Sequence, residues 1–208
     1  LIVAISGKIL HVSETAVTIE SSPFEYEVLV GDYTRRQLQS QIGQSTRLHT
    51  LDYIDGSVQG GGRLTPRLVG FLTEPERQFF DLFCSVDGVG VKKALRAMVR
   101  PVNELAVLIE QQDAKGLSAL PGIGPSTSER IIAKLRRKMP RFALMVDRGQ
   151  PGDVDSGVTA VVSETFDALI TLGHSESDAR ALIDEALAGG KKFKDTESLL
   201  TAIYQRGK

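Results

Sequence analysis

The hydrophobic rhythm of the chain changes three times. Up to residue 72, apolar residues alternate with polar ones or gather in short runs at 2–10, 15–20, 24–30, 46–54 and 67–72. A period of two lays one side of an extended chain against a core, so these five stretches are predicted strands. Gly7 marks a bend or bulge in the first, and Ser21-Ser22-Pro23 closes the second. A short helix is expected at 33–41. Five short strands with little room for crossover helices predict a small antiparallel barrel of the oligonucleotide-binding type. Composition alone would also fit another five-stranded barrel.

From Thr73 the period lengthens to that of helices. Thr73-Glu74-Pro75-Glu76 reads as a capping box, and Phe79, Phe80, Leu82 and Phe83 turn toward a core. Pro101 opens a further helix with Leu105, Leu108 and Ile109 on its apolar face. A helical turn through Leu117 and Leu120 leads to a last helix, expected to stop near Pro140. Within this block one pattern occurs twice, 34 residues apart: Val86-Asp87-Gly88-Val89-Gly90-Val91 and Leu120-Pro121-Gly122-Ile123-Gly124-Pro125. Each copy follows an apolar helical stretch and opens another, carrying Ala94, Leu95 and Met98 in one case and Ser128, Ile131, Ile132 and Leu135 in the other.

Residues 146–157 are rich in glycine, proline and acidic side chains, which leaves little to pack. Helices follow at 158–172, 176–188 and 196–206, the second opened by Ser175 and Asp178. Phe166, Leu169, Ile170, Leu172, Leu182, Ile183 and Leu187 are its candidate core. The expected fold class is an α+β multidomain chain. Its parts are a barrel at 1–70, a tandem helix-hairpin-helix domain at 71–140, a flexible linker at 141–157 and a small three-helix domain at 158–208.

The repeated glycines carry the chemistry. A hairpin this tight needs positive φ and a close backbone, which glycine supplies most easily. The N–H groups of the loop and of the next helix's first turn lack partners and can meet a phosphate. Gly88, Gly90, Gly122 and Gly124 are therefore candidate DNA-binding residues. Lys92 and Lys93 add charge to the first copy; Ser126 and Thr127 hold the corresponding places in the second and can only hydrogen-bond. Two plain turns in a helical scaffold are the alternative reading.

Net charge is −1, which looks wrong for a nucleic-acid binder until it is divided. Residues 71–140 carry 11 basic and 8 acidic side chains, against 6 and 7 before them and 8 and 11 after them. The excess is densest at Arg130, Lys134, Arg136, Arg137 and Lys138, in the helix launched by the second hairpin. Arg130 and Lys134 join the candidate DNA-binding set.

Other chemistry is not signalled. There is no phosphate-binding loop of the motor type. His11, His49 and His174 are far apart and, with the one cysteine, Cys84, make no zinc pattern. Asp52 and Asp55 are close, but no second carboxylate cluster completes a nuclease site. Asp147 follows a glycine hairpin as a base-excision aspartate would, yet it falls in the linker. No catalytic residue, metal or cofactor is expected. No apolar run is long enough to span a bilayer, the apolar opening lacks a signal peptide's flank, and the single cysteine fits a reducing compartment. A cytoplasmic, nucleoid-associated protein is the expectation.

In order, these blocks resemble the RuvA family, the junction-recognising subunits of the bacterial Holliday junction branch-migration complex. Leu1-Ile2-Val3-Ala4-Ile5-Ser6-Gly7 resembles its opening, and Val69-Gly70-Phe71 the Tyr-Gly-Phe that closes its barrel. Leu120-Pro121-Gly122-Ile123-Gly124 with Ser128-Glu129-Arg130-Ile131-Ile132 resembles its second hairpin. Leu172-Gly173-His174 with Asp178-Ala179 resembles Leu-Gly-Tyr and Glu-Ala of its third domain. The resemblance implies a homotetramer, single or stacked in pairs, that holds a four-way junction open in recombination and DNA repair. It implies a third domain engaging a hexameric AAA+ ATPase, RuvB, through residues such as Leu169, Leu172, Gly173 and Leu182. It also implies a junction resolvase, RuvC, as a further partner. The family's acidic pair at the junction centre is reduced here to Asp55, in a longer, glycine-rich loop. The second hairpin lacks the basic residues often found after its glycines. A generic barrel-plus-hairpin DNA adaptor of another repair complex, and a protein-binding scaffold, are the competing readings.

Overall fold

The computed structural model describes residues 1–56, 63–143, 156–188 and 193–205. Its N-terminal part is a closed five-stranded barrel: β1 (Ala4–Val12), β2 (Ala16–Ser21), β3 (Phe24–Leu29), β4 (Ser45–Asp55) and β5 (Thr65–Phe71), in the order β1-β2-β3-β5-β4. Every neighbour is antiparallel except β3 and β5, where Val28 pairs with Leu68 and Leu29 with Val69. The expected five-stranded barrel is therefore present, antiparallel apart from this one seam. An odd number of strands cannot alternate direction around a closed ring, so one seam must be parallel.

Ile9, Val17, Ile19, Val28 and Leu48 fill the barrel, and Leu38 of α1 (Asp32–Gln39) is buried with them. Gly7 is not the bulge. The register of β1 against β2 shifts between Ile9 and His11. Gly7 serves close approach instead: a Cβ there would lie 2.1 Å from the carbonyl oxygen of Glu20.

Ten α-helices occur among the described residues. After α1 come α2 (Glu74–Cys84), α3 (Val91–Ala97), α4 (Val102–Glu110), α5 (Ala114–Ser118), α6 (Pro125–Leu135), α7 (Pro140–Ala143), α8 (Ser156–Thr171), α9 (Glu176–Leu187) and α10 (Thr196–Gln205). The capping box forms. Thr73 Oγ1 accepts from the Glu76 N–H at 3.3 Å, and Glu76 Oε2 accepts from the N–H of Leu72 at 2.9 Å and of Thr73 at 3.3 Å. Such a cap is worth about 1 kcal/mol. Pro140 does not stop a helix. α6 ends at Leu135, a 3-10 turn covers Arg136–Lys138, and Pro140 opens α7, where its missing N–H has no helical partner to lose.

The chain packs as two units, Leu1–Arg100 with Ser118–Thr127, and Pro101–Leu117 with Ser128–Lys208. In the first, Phe71 meets Phe80 with ring centroids 4.9 Å apart and Phe79 stacks on Phe83 at 5.6 Å. In the second, α8, α9 and α10 close around Phe166, Leu169, Ile183, Leu199 and Ile203. Two residues expected in that core lie outside it: Ile170 is 37% and Leu172 62% exposed. α7 packs against both α4 and α9, and Arg180 of α9 pairs with Glu110 of α4 and, at 3.3 Å, with Asp184. Most of the expected linker, residues 144–155, lies outside the described residues.

Candidate nucleic-acid interface

The two hairpins share one backbone geometry. Gly88 and Gly122 both have φ of 81°. The Val89 N–H donates to the Val86 carbonyl at 2.9 Å, and the Ile123 N–H to the Leu120 carbonyl at 3.0 Å. In each loop the flanking and intervening apolar residues are buried (Val86 and Val89, Leu120 and Ile123) while the glycines stay exposed. The buried pair pins the turn, and that pushes the glycine backbone outward. A Cβ at Gly90 or Gly124 would meet nothing within 4 Å, so these second glycines keep an open surface rather than relieve a clash. Gly90 caps α3 with no side-chain hydrogen bond, which leaves first-turn N–H groups for an outside acceptor.

The hairpins also touch. A Cβ added to Gly122 would lie 3.5 Å from Lys93 Cγ, so the aliphatic stem of Lys93 runs beneath the second loop. Lys92 is exposed. Ser126, Arg130 and Lys134 follow one another at four-residue spacing along α6 and are exposed. Thr127 is different: it is 7% exposed, so its side chain is withdrawn from the surface on which the sequence placed it.

Asp55 closes β4 instead of standing at a loop tip, and its Oδ1 lies 2.9 Å from Lys92 Nζ. Nothing in the sequence marks this pair, because 37 positions separate its members. So exposed a pair is worth at most about 1 kcal/mol. Beside it, the Tyr53 hydroxyl is buried with no hydrogen-bond partner, and burial followed by the Asp55 charge raises its pKa. Arg67, the cation paired across β4–β5 with Tyr53, holds Glu27 at 2.7 Å. The loop at 57–62 and Asp147 lie outside the described residues, while Asp52 is an exposed residue of β4.

The first hairpin is anchored to the barrel elsewhere too. The Tyr33 N–H donates to the Met98 carbonyl at 3.2 Å, and Arg36 Nη2 to the Val99 carbonyl at 2.6 Å. A Cβ at Gly31 would lie 2.9 Å from Met98 Cβ, so α1 needs glycine to approach the end of α3. His49 Nδ1 lies 3.2 Å from Glu74 Oε2. The Arg77 guanidinium, hydrogen-bonded to Glu74, holds that carboxyl at about 2. Burial pushes the Cys84 thiol up to about 12, which suits a packing residue and not a nucleophile.

Of the residues expected to meet a partner, Leu169 is fully buried and Leu182 partly buried in the core of the three-helix segment. Leu172 is exposed, and Gly173, with φ of 96°, ends α8. His174 Nε2 lies 3.0 Å from the Tyr204 hydroxyl, joining that turn to α10. Among the described residues no group of acidic, histidine or cysteine side chains forms a metal site, and no helix is long and apolar enough to cross a membrane.

Residues 80–137 match the family model described as a SAM-like helix-hairpin-helix tandem. The chain is 75% identical over 208 residues to the Holliday junction branch migration complex subunit RuvA of Rhodopirellula baltica, covering all of both chains. It is 32% identical over 207 residues to the protein of that name from Desulfatibacillum aliphaticivorans, covering 97% of this chain and 96% of the relative. Against the one from Desulfosudis oleivorans it is 30% identical over 206 residues, covering 98% and 97%.

Proposed function

The chain belongs to the RuvA family, and from that membership we propose that it recognises four-way DNA junctions as a non-catalytic subunit and couples them to a separate ATPase for branch migration. The observation that carries the reading is the pair of abutting hairpins, with equal φ at Gly88 and Gly122 and the Lys93 stem against the second loop. Such a pair offers backbone N–H groups and cations to phosphates, so it suits recognition of DNA by the path of its backbone. Gly88, Gly90, Lys93, Gly122, Gly124 and Ser126 are the proposed contacts, with Arg130 and Lys134 extending them along α6. Four subunits around one junction would repeat the contact on every arm.

The test compares a four-way junction with a linear duplex of equal length at several salt concentrations. The expected result is tighter junction binding and a steep salt dependence. Equal affinities would favour a generic DNA adaptor, and no binding would favour a protein scaffold. Coupling to a hexameric AAA+ ATPase is assigned to the exposed end of α8. Leu172→Ser is expected to leave junction affinity unchanged and to slow ATP-driven branch migration; an unchanged migration rate would remove Leu172 from that surface. A resolvase such as RuvC would join the junction on the face that the subunit leaves open.

A further inference from the structure

We infer that Asp55 determines how much charge the first hairpin presents to DNA: it acts as the resident counter-ion of Lys92 and removes that lysine from the set that neutralises phosphate. The inference rests on the functional reading above and sharpens it. Lys92 and Lys93 are adjacent, yet among the described residues only Lys92 is paired with a carboxylate, at 2.9 Å. Among the described residues Asp55 has no other ion-pair partner. The buried Tyr53 hydroxyl makes no hydrogen bond to it, and Arg67 is committed to Glu27. Lys92 remains 66% exposed and Asp55 28%, so the pair sits at the surface that an arriving backbone would meet. Affinity from phosphate contact arises by releasing condensed cations, and a lysine already neutralised by a carboxylate releases almost none. Asp55 therefore acts through its nearest cation and not as a bare repulsive charge.

The experiment measures affinity of the full chain for a synthetic four-way junction across a salt series, for the wild type, Asp55→Asn, Lys92→Gln and the double variant. Each phosphate newly neutralised should steepen the plot of log affinity against log salt by about 0.9, or about 3.5-fold across a fourfold change in salt. Asp55→Asn is expected to steepen the slope by that amount per engaged subunit and to tighten binding at low salt. Lys92→Gln alone should change the slope little, and the double variant should return to the wild-type slope. An unchanged slope in Asp55→Asn overturns the inference. So does weaker binding, which would mean that Asp55 aims Lys92 at phosphate. Equal tightening with and without Lys92 also overturns it, because Asp55 would then repel DNA directly. A DNA-free readout separates this outcome from failure of the functional reading. Acylation of Lys92, mapped by mass spectrometry, should be faster in Asp55→Asn, and equal rates would dissolve the pair even if the chain had no preference for junctions.

Discussion

The first hairpin and the second have the same backbone and different chemistry. Gly88 and Gly122 adopt one φ, the same turn hydrogen bond closes both loops, and buried apolar residues pin both at corresponding positions. After the glycines they diverge. The first runs into Lys92 and Lys93, one of them neutralised by Asp55. The second runs into exposed Ser126 and buried Thr127, and its cations are postponed to Arg130 and Lys134. Backbone geometry is thus repeated where the loop itself must fit a phosphate, while charge is free to drift along the following helix. The helices that feed the hairpins differ as well. α2 is capped by Thr73 and Glu76 and spans 11 residues, whereas α5 spans five and opens with Asp113 accepting from the Gly116 N–H at 2.8 Å.

The largest expected effect tests the shared geometry. Gly122→Val and Gly88→Val each force a β-branched residue to positive φ, a strain of about 1–3 kcal/mol. Both should lower the melting temperature and weaken junction binding at least about tenfold, the equivalent of about 1.4 kcal/mol. Equal losses would support equivalent grips. A loss confined to one variant would show that only that hairpin holds DNA. Next in size is the difference in charge. Lys93→Ala is expected to weaken binding several-fold and flatten the salt slope. Ser126→Lys should tighten binding by a similar factor, making the second hairpin resemble the first; binding titrations over a salt series read both.

The hairpins were legible in the sequence because they are local: two glycines two positions apart, between apolar residues, specify the turn. The Thr73 cap was legible for the same reason. What depends on contacts between distant segments was not. The Asp55–Lys92 pair joins a strand end to a helix start across 37 positions, and Leu10, where β1 changes register, carries no mark that Gly7 does not carry better. Thr127 looked available because it holds the place that Lys93 has in the first copy, but the start of α6 turns it inward. Leu172 looked like core because the apolar run continues from Leu169, yet α8 ends at Thr171, Gly173 turns the chain at positive φ, and Leu172 is left outside.

The smallest expected effect concerns the better-capped feeder helix. Glu74 is held at about 2, below its ordinary 4.5, mainly by its hydrogen bond to Arg77. A carboxyl depressed on folding stabilises the native state above its unfolded pKa, and that contribution disappears as pH falls through the folded value. Stability should therefore decline between about pH 4.5 and 2. Glu74→Gln should flatten that limb in acid-unfolding curves and leave neutral-pH junction binding alone. The side chain is 38% exposed, so solvent screening keeps the effect small.

The parity of the barrel has one more consequence. With five strands, the chain that enters at one rim by β1 departs from the opposite rim after β5, whereas an even ring would have handed it back where it started. The helices must therefore set out from the rim remote from Asp55, and Lys92 regains that residue only because α2 doubles back. α2 is in effect a ruler. One helical turn more or less would slide its far end by about 5.4 Å, nearly twice the 2.9 Å that now separates Lys92 from Asp55. Helix length, rather than any residue in the hairpin, thus keeps the first grip in register with the barrel.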